Sequence, residues 1–305
     1  MKPVVAIVGP TAVGKSELSM HLAKVFDGEI VGADSRQVYR LMDIGTAKPT
    51  PEDRNLVPHH VVDIIYPDES FSLVLYQALA YKAIEDIRKR GKLAILVGGS
   101  GQYIRAVIEG WRVPPVTPDP TFRQSLEERA SREGKDKLYH ELETIDPAAA
   151  ANIDPRNLRR VIRALEVIRA TGKPFSDLRQ KVPPPFTTLT IGLTTSRDNL
   201  YKRIDGRVDR MISQGFVEEV RMILDKGYSP TIPPLSSMGY KQIGEHLQGQ
   251  LDLATAIQQA KFETHNFARH QYAWFRPSDP QINWFNIEDS FESQVESLVK
   301  EQLIR

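Results

Sequence analysis

The 305-residue chain contains no cysteine, which excludes disulfides, thiolate catalysis and any zinc site built on thiolates. It has no apolar run near the ~18 residues that a membrane-crossing helix needs, so no membrane partner is expected. It also has almost no charge imbalance. Forty Lys and Arg stand against 39 Asp and Glu, a formal +1, which excludes a globally basic nucleic-acid binder but leaves local patches open. Internal repeats and low-complexity tracts are missing too. An apolar strand starts at Val4, which leaves no room for a charged and apolar signal segment and points to a cytoplasmic enzyme. What remains, 41% apolar and 26% charged, is ordinary globular composition, with length for one large domain or two modest ones.

The clearest chemical feature follows the run Val4–Val5–Ala6–Ile7–Val8. Residues 9 to 16 read GPTAVGKS, a phosphate-binding loop by spelling. Its glycines let backbone N–H groups of Gly9, Thr11, Ala12, Val13 and Gly14 turn toward phosphate oxygens around Pro10. Lys15 adds a point charge, and the Ser16 hydroxyl suits Mg²⁺. The helix expected over Ser16–Val25 adds its N-terminal dipole. Taken alone, the loop announces ATP or GTP binding. Nucleotide hydrolases, however, place an Asp at the end of a second apolar strand to hold the metal. Here the strand LAILV ends in Gly98–Gly99–Ser100. The nearest strand-terminal acid is Asp34 in GADSRQVY, which reads as a metal ligand, a general base, or a cap for the turn beginning at Ser35.

Short apolar runs alternate with helical stretches over the first hundred residues, the pattern of a parallel sheet wrapped by helices. Strands are expected at Val4–Val8, Glu29–Ala33, His60–Ile64, Leu93–Val97 and Leu189–Leu193. A helix is expected over Leu73–Arg90, with Leu75, Leu79, Ala83 and Ile87 on its inner face. Two proline-rich stretches, Val113–Pro120 and Val182–Phe186, bracket a segment with only helical patterns. In it Leu158, Val161, Ile162, Leu165 and Ile168 form an apolar stripe. The expected architecture is therefore α/β: a parallel sheet flanked by helices, formed by residues 1–115 and 187–305, with an α-helical insertion domain at 116–186. A terminal helix should bury Phe291, Val295 and Leu298.

The insertion is also locally basic. Between Pro155 and Lys181 lie Arg156, Arg159, Arg160, Arg163, Arg169, Lys173, Arg179 and Lys181 against only Glu166 and Asp177, an excess of six positive charges. Arg156, Arg160 and Arg163 fall on one helical face, a pattern that suits a phosphate backbone as well as a plain solvated face. A second stretch, KFETHNFARHQYAWFR (261–276), interleaves Lys261, Arg269, His270 and Arg276 with Phe262, Phe267, Tyr272, Trp274 and Phe275. Such residues can stack on bases, though Tyr272 and Phe275 at i, i+3 also look like core. His265 and His270 lack acidic neighbours at ligand spacing, and the His59–His60 pair opens a strand; both are read as structural.

Several segments stand out along the chain, in this order: GPTAVGKS, ADSRQVYR, DIGTAKP, PHHVVDI, VGGSGQYI, NLRRVIRALEV, GFVEEV and MGYKQ. In these motifs the chain resembles the tRNA dimethylallyltransferases from Val4 to about Arg276. The resemblance implies a P-loop NTPase-like core with a helical insertion. It implies that the loop holds the diphosphate of dimethylallyl diphosphate, through Thr11, Lys15 and Ser16, with Mg²⁺ near Ser16. Asp34 matches the family's general base. Arg207, in RIDGRVDRM, matches the arginine that engages the leaving diphosphate. Asp34, Ser35, Arg36, Gln37, Ser100, Arg123, Arg159, Arg160, Arg163, Met238, Gly239, Tyr240, Lys241 and Gln242 match positions that contact tRNA or its target adenosine 37 in the anticodon stem-loop. The rivals are a P-loop kinase or ATPase, an isopentenyltransferase acting on free adenine nucleotides, and a non-catalytic RNA-binding module. Two departures stand out: Ser100 replaces a common Thr, and His270 stands where the family more often has Arg. Without cysteine the chain lacks the zinc finger of eukaryotic relatives. No dimerisation stripe is spare, so a monomer is expected.

Overall fold

Six parallel strands form one sheet among the described residues, in the order β3-β2-β4-β1-β5-β6. They are β1 (Val4–Val8), β2 (Gly28–Gly32), β3 (His59–His60), β4 (Leu93–Val97), β5 (Thr188–Thr194) and β6 (Ile282–Asn286). The structure is a computed structural model that describes residues 2–114, 116–178 and 180–304. Pro115 of the first proline stretch and Arg179 of the basic run lie outside the described residues. The chain separates into two compact units, Met1–Ile108 with Pro184–Arg305, and Glu109–Pro183.

β1 has no exposed residue because both faces of the sheet are covered. Val4, Ala6 and Val8 pack on the side of the Leu73–Lys89 helix, and Val5 and Ile7 on the side of the Lys15–Val25 and Glu292–Ile304 helices. The Leu73–Lys89 helix presents a different stripe from the one its leucines suggest. It buries Tyr76, Ala80, Ile84 and Ile87, while Leu75 is 42% exposed. Two four-residue series are interleaved in this helix. The inner one is set by Tyr76, whose ring stacks on Tyr103 at 3.9 Å and 17°. In the C-terminal helix Val295 and Val299 are buried and Leu298 packs beside them.

Two strands differ from expectation. β3 pairs only through His59 and His60, because Val61 and Asp63 turn into the left-handed region at φ 60° and 61°. The Asp63 carboxylate then serves Lys48 and Arg54 instead of extending a strand. β6 pairs in parallel along β5 at the sheet edge and carries the partly exposed sequence INWFN. Among the described residues no helix is long and apolar enough to cross a membrane.

The Glu109–Pro183 unit is helical, with its main helices at Pro120–Glu133, Lys135–Ile145 and Leu158–Thr171. Each starts or stops for a local reason. Asp119 caps the first through the Phe122 N–H, with Pro120 at its opening position. Asn157 caps the third, and Gly172 ends it in the left-handed conformation. Val161, Ile162 and Leu165 join Leu126, Leu138 and Leu142 in a separate core, with Leu158 and Ile168 packed at its border.

Candidate active site

The carboxyl ends of β1, β2 and β4 are adjacent in the sheet, which is where open α/β folds bind ligands. The loop after β1 starts with Gly9 at φ 137°, and a Cβ there would lie 2.4 Å from the Leu193 carbonyl oxygen. No other residue fits. Ala12 and Gly14 also take positive φ, 63° and 99°, which wraps the loop before the Lys15–Val25 helix begins. Lys15 is buried, and its ammonium donates to the carbonyls of Gly9 and Pro10 at 3.0 and 2.6 Å. Burial, and next the charge of Arg207, pull the Lys15 pKa down to about 7, while Asp34 opposes the shift.

Arg207 comes from the Arg197–Ser213 helix. Its guanidinium reaches Thr11 Oγ1 and the Thr46 carbonyl, each at 3.4 Å. One turn earlier, Arg203 donates to the Ala12 carbonyl at 2.7 Å. A single helix therefore brings two arginines onto the phosphate loop, because positions four apart share a face. Arg207 keeps some exposed surface but is closely crowded, so burial lowers its proton affinity against the pull of Asp34 and Glu17.

Asp34 sits two residues beyond the end of β2. Its Oδ1 accepts the Arg36 N–H at 2.8 Å, closing a turn on itself. The cap reading thus holds for one oxygen. The other, Oδ2, lies beside Gly99, 3.5 Å from where a Cβ there would project. The end of β4 approaches so closely that a Cβ on Gly98 would meet the Ala33 carbonyl oxygen at 2.1 Å. This is why glycines, not a carboxylate, follow the strand. Ser100 joins the two turns, since its hydroxyl accepts the Ser35 N–H at 2.9 Å and its N–H donates to Ala33 at 3.0 Å.

Two buried side chains of this region are absent from the expected site residues, although Glu219 lies within the GFVEEV motif. Gln271, in the Leu253–Trp274 helix, accepts the Thr11 N–H at 2.7 Å and donates to the Gly99 carbonyl at 2.8 Å. Glu219 accepts the N–H groups of Asp43, Ile44 and Gly45 at 2.9, 2.6 and 3.1 Å, and the Tyr240 hydroxyl at 2.6 Å. Three sequence motifs, DIGTAKP, GFVEEV and MGYKQ, thus meet at one carboxylate. Gly45 is needed there because a Cβ would strike the Phe216 ring at 2.1 Å.

A family model described as IPP transferase matches residues 37–278. The chain belongs to the IPP transferase family. A tRNA dimethylallyltransferase of Roseiflexus castenholzii is 55% identical over 276 residues, 90% of each chain. The crystal structure of the full-length tRNA isopentenylpyrophosphate transferase from Bacillus halodurans superposes with a TM-score of 0.73 at 40% identity, covering 99% of this chain and 97% of that one. A eukaryotic dimethylallyltransferase captured acting on tRNA gives a TM-score of 0.82 at 28% identity, covering 100% of this chain and 80% of that one.

In this IPP transferase chain the sheet brings together Gly9 to Ser16, Asp34 to Gln37, Ser100 and Arg207. Some of the other residues expected at the tRNA make contacts within the protein. Tyr240 and Gln242 are buried; Tyr240 serves Glu219, and Gln242 accepts the Gly239 N–H at 2.8 Å. Met238 and Gly239 are partly exposed, and Lys241 is exposed. In the helical unit, Arg123 and Arg163 both pair with buried Glu166, at 2.7 and 2.5 Å. Burial alone pushes the Glu166 carboxyl up, but hydrogen bonds from Arg123, Arg163 and the Asp119 N–H hold it near 2. Arg123 and Arg163 are thus tied to a buried acid while staying partly exposed. Arg156 is not on the helical face at all: it precedes the Asn157 cap and pairs with Asp154 at 2.8 Å. Arg159 and Arg160 remain exposed.

Two of the histidines pair with acids. His60 meets Glu29 at 2.7 Å, and His265 meets Asp205 at 2.9 Å while stacking on Tyr201. His270 is exposed, Phe275 is core, and Tyr272 reaches Thr194 at 3.1 Å.

The Glu219 knot carries a stability prediction. Glu219→Ala leaves three N–H groups and a buried hydroxyl without their acceptor. A loss of about 3–5 kcal/mol is expected, read as a fall of roughly 10 °C in thermal midpoint. A midpoint within 2 °C of wild type would show that water replaces the carboxylate.

Proposed function

We propose that this chain transfers the dimethylallyl group of dimethylallyl diphosphate to N6 of adenosine 37 in tRNA, releasing diphosphate. The observation that carries the reading is the pairing at the carboxyl end of the sheet. A phosphate loop is gripped by Lys15 and Arg207, the carboxylate of Asp34 stands next to it, and Gly98–Gly99 occupies the place of a hydrolase's metal-holding acid.

The chemistry follows from these groups. As the allylic C1–O bond breaks, its electron pair leaves with the diphosphate, and charge grows on the oxygens held by the loop. Lys15, Arg207 and the free loop N–H groups neutralise that charge. The N6 lone pair forms the new C–N bond, and the amine proton passes to Asp34. The adenine must leave its stack to reach the allylic carbon. Ser35, Arg36, Gln37 and Ser100, on the turns beside Asp34, would receive it, with Met238 and Lys241 as further contacts. Arg159 and Arg160, exposed on the helical unit, supply phosphate contacts to the stem.

The donor set also fits Mg²⁺. Ser16 presents an exposed hydroxyl at the first turn of the Lys15–Val25 helix, a hard oxygen ligand. Among the described residues no group of three or more His, Asp or Glu side chains gathers to form a metal site. Mg²⁺ would therefore be shared between Ser16, the substrate diphosphate and water, and would supply charge neutralisation to the leaving group.

The test offers labelled dimethylallyl diphosphate with unmodified tRNA, AMP and ATP as competing acceptors. Label is expected in tRNA alone. Label in AMP or ATP assigns the free-nucleotide reading, and phosphate release from ATP without prenyl transfer assigns a kinase or ATPase.

A further inference from the structure

The phosphate loop and the base sit on different strands, and transfer requires them at a fixed separation. One side chain touches both supports. Gln271 is 4% exposed, with its carbonyl on the Thr11 N–H at 2.7 Å and its amide on the Gly99 carbonyl at 2.8 Å. Thr11 is the residue whose hydroxyl Arg207 approaches at 3.4 Å. Gly99 is the residue beside Asp34 Oδ2, and its neighbour Ser100 bonds the Ser35 N–H. A neutral amide, with one donor and one acceptor, matches this pair of opposite backbone groups; no charged or purely apolar side chain of the same length does.

We propose that Gln271 is a positioning residue that sets the distance between the departing diphosphate and the base. It acts through the Thr11 N–H and the Gly99 carbonyl and rests on the transfer reading given above. The Thr11 N–H is therefore committed to the protein, not offered to phosphate, and Pro10 has no N–H to offer. The anion is left to the N–H groups from Ala12 onward and to Lys15 and Arg207. A misplacement of about 1 Å between reacting groups costs on the order of a hundredfold in rate. Loss of Gln271 should accordingly appear in kcat and not in binding.

The test uses the full-length protein with Gln271→Met, which keeps length and removes both hydrogen bonds, and Gly99→Ala, which disturbs the same link from the other side. A Cβ on Gly99 would lie 2.8 Å from the Gln271 amide nitrogen. Single-turnover transfer to tRNA, the Kd of inorganic diphosphate, the Kd of tRNA and the thermal midpoint are measured for each variant and for the pair. The expected result is a 30- to 100-fold lower transfer rate for Gln271→Met, with both Kd values within threefold of wild type. The double variant should be no slower than the slower single one, because both break one link.

A transfer rate within threefold of wild type overturns the proposal. So does a rate that falls only in proportion to the folded fraction, or rate losses that multiply in the double variant. Wild-type transfer to tRNA, run in parallel, tests the underlying reaction separately. If that fails, the reading of the reaction falls on its own control, independently of Gln271.

Discussion

Asp34→Asn is expected to lower prenyl transfer by about 10²–10⁴-fold, the range for removal of a positioned general base, while tRNA affinity stays within threefold of wild type. The asparagine is the informative substitution because of the turn. Oδ1 of Asp34 accepts the Arg36 N–H at 2.8 Å, and an amide oxygen does the same, so the backbone keeps its course. Only the charge and the proton-accepting oxygen beside Gly99 are lost. The measurement is single-turnover transfer with saturating tRNA and dimethylallyl diphosphate, alongside tRNA binding. If the variant retains more than a tenth of wild-type rate with normal binding, the proton leaves by another route and Asp34 is a turn-forming residue only. A metal-ligand role makes a different prediction: raised Mg²⁺ would restore the rate. A base role predicts no such rescue.

The parts of this protein that were readable in advance are those whose chemistry is local in the chain. The phosphate loop is eight consecutive residues, and the helix over Leu158–Thr171 declares its inner face through Val161, Ile162 and Leu165. Asp34 could be singled out because it ends a strand. Its choice between base, ligand and cap could not be made from spacing, since that depends on Gly98 admitting β4 to within touching distance of Ala33. The roles of Gln271 and of Glu219, which lies within GFVEEV, are hidden in the sequence for a simpler reason. Their partners lie 260 and about 175 residues away, and nothing in a glutamine or a glutamate marks it as buried. Glu166 misled in the opposite direction. Counted as one of two acids in a basic run, it is the buried partner of Arg123 and Arg163, which stay partly exposed while satisfying it. Only the Arg163–Glu166 spacing of three could have warned of this. β6 escaped notice because an edge strand need not alternate cleanly, and INWFN has one buried residue.

Lys15 carries the other large effect, and its environment makes that effect depend on pH. Its pKa is held near 7 by burial and by Arg207. The unfolded chain keeps the ordinary value of 10.5, so between pH 7 and 10.5 the unfolded state binds more protons at this site. Lys15 therefore makes the ligand-free protein more stable as pH rises through that window, and less stable below it, where the buried ammonium must be charged. Diphosphate reverses the balance. An anion in the loop favours the ammonium, so binding above pH 7 takes up a proton, and the Kd for inorganic diphosphate should rise by up to about tenfold per pH unit. Titration calorimetry in buffers of different ionisation enthalpy measures that uptake directly. In Lys15→Arg the charge is permanent, and the pH dependence should flatten even if the longer side chain binds less well. In Lys15→Met the charge is gone, and transfer should fall by about 10²–10³-fold, as for loss of one preorganised group facing a leaving oxyanion. A wild-type Kd that stays constant from pH 7 to 9 would mean that the ammonium is already fully charged before diphosphate binds. The two carbonyls of Gly9 and Pro10 that accept from it would then outweigh its burial.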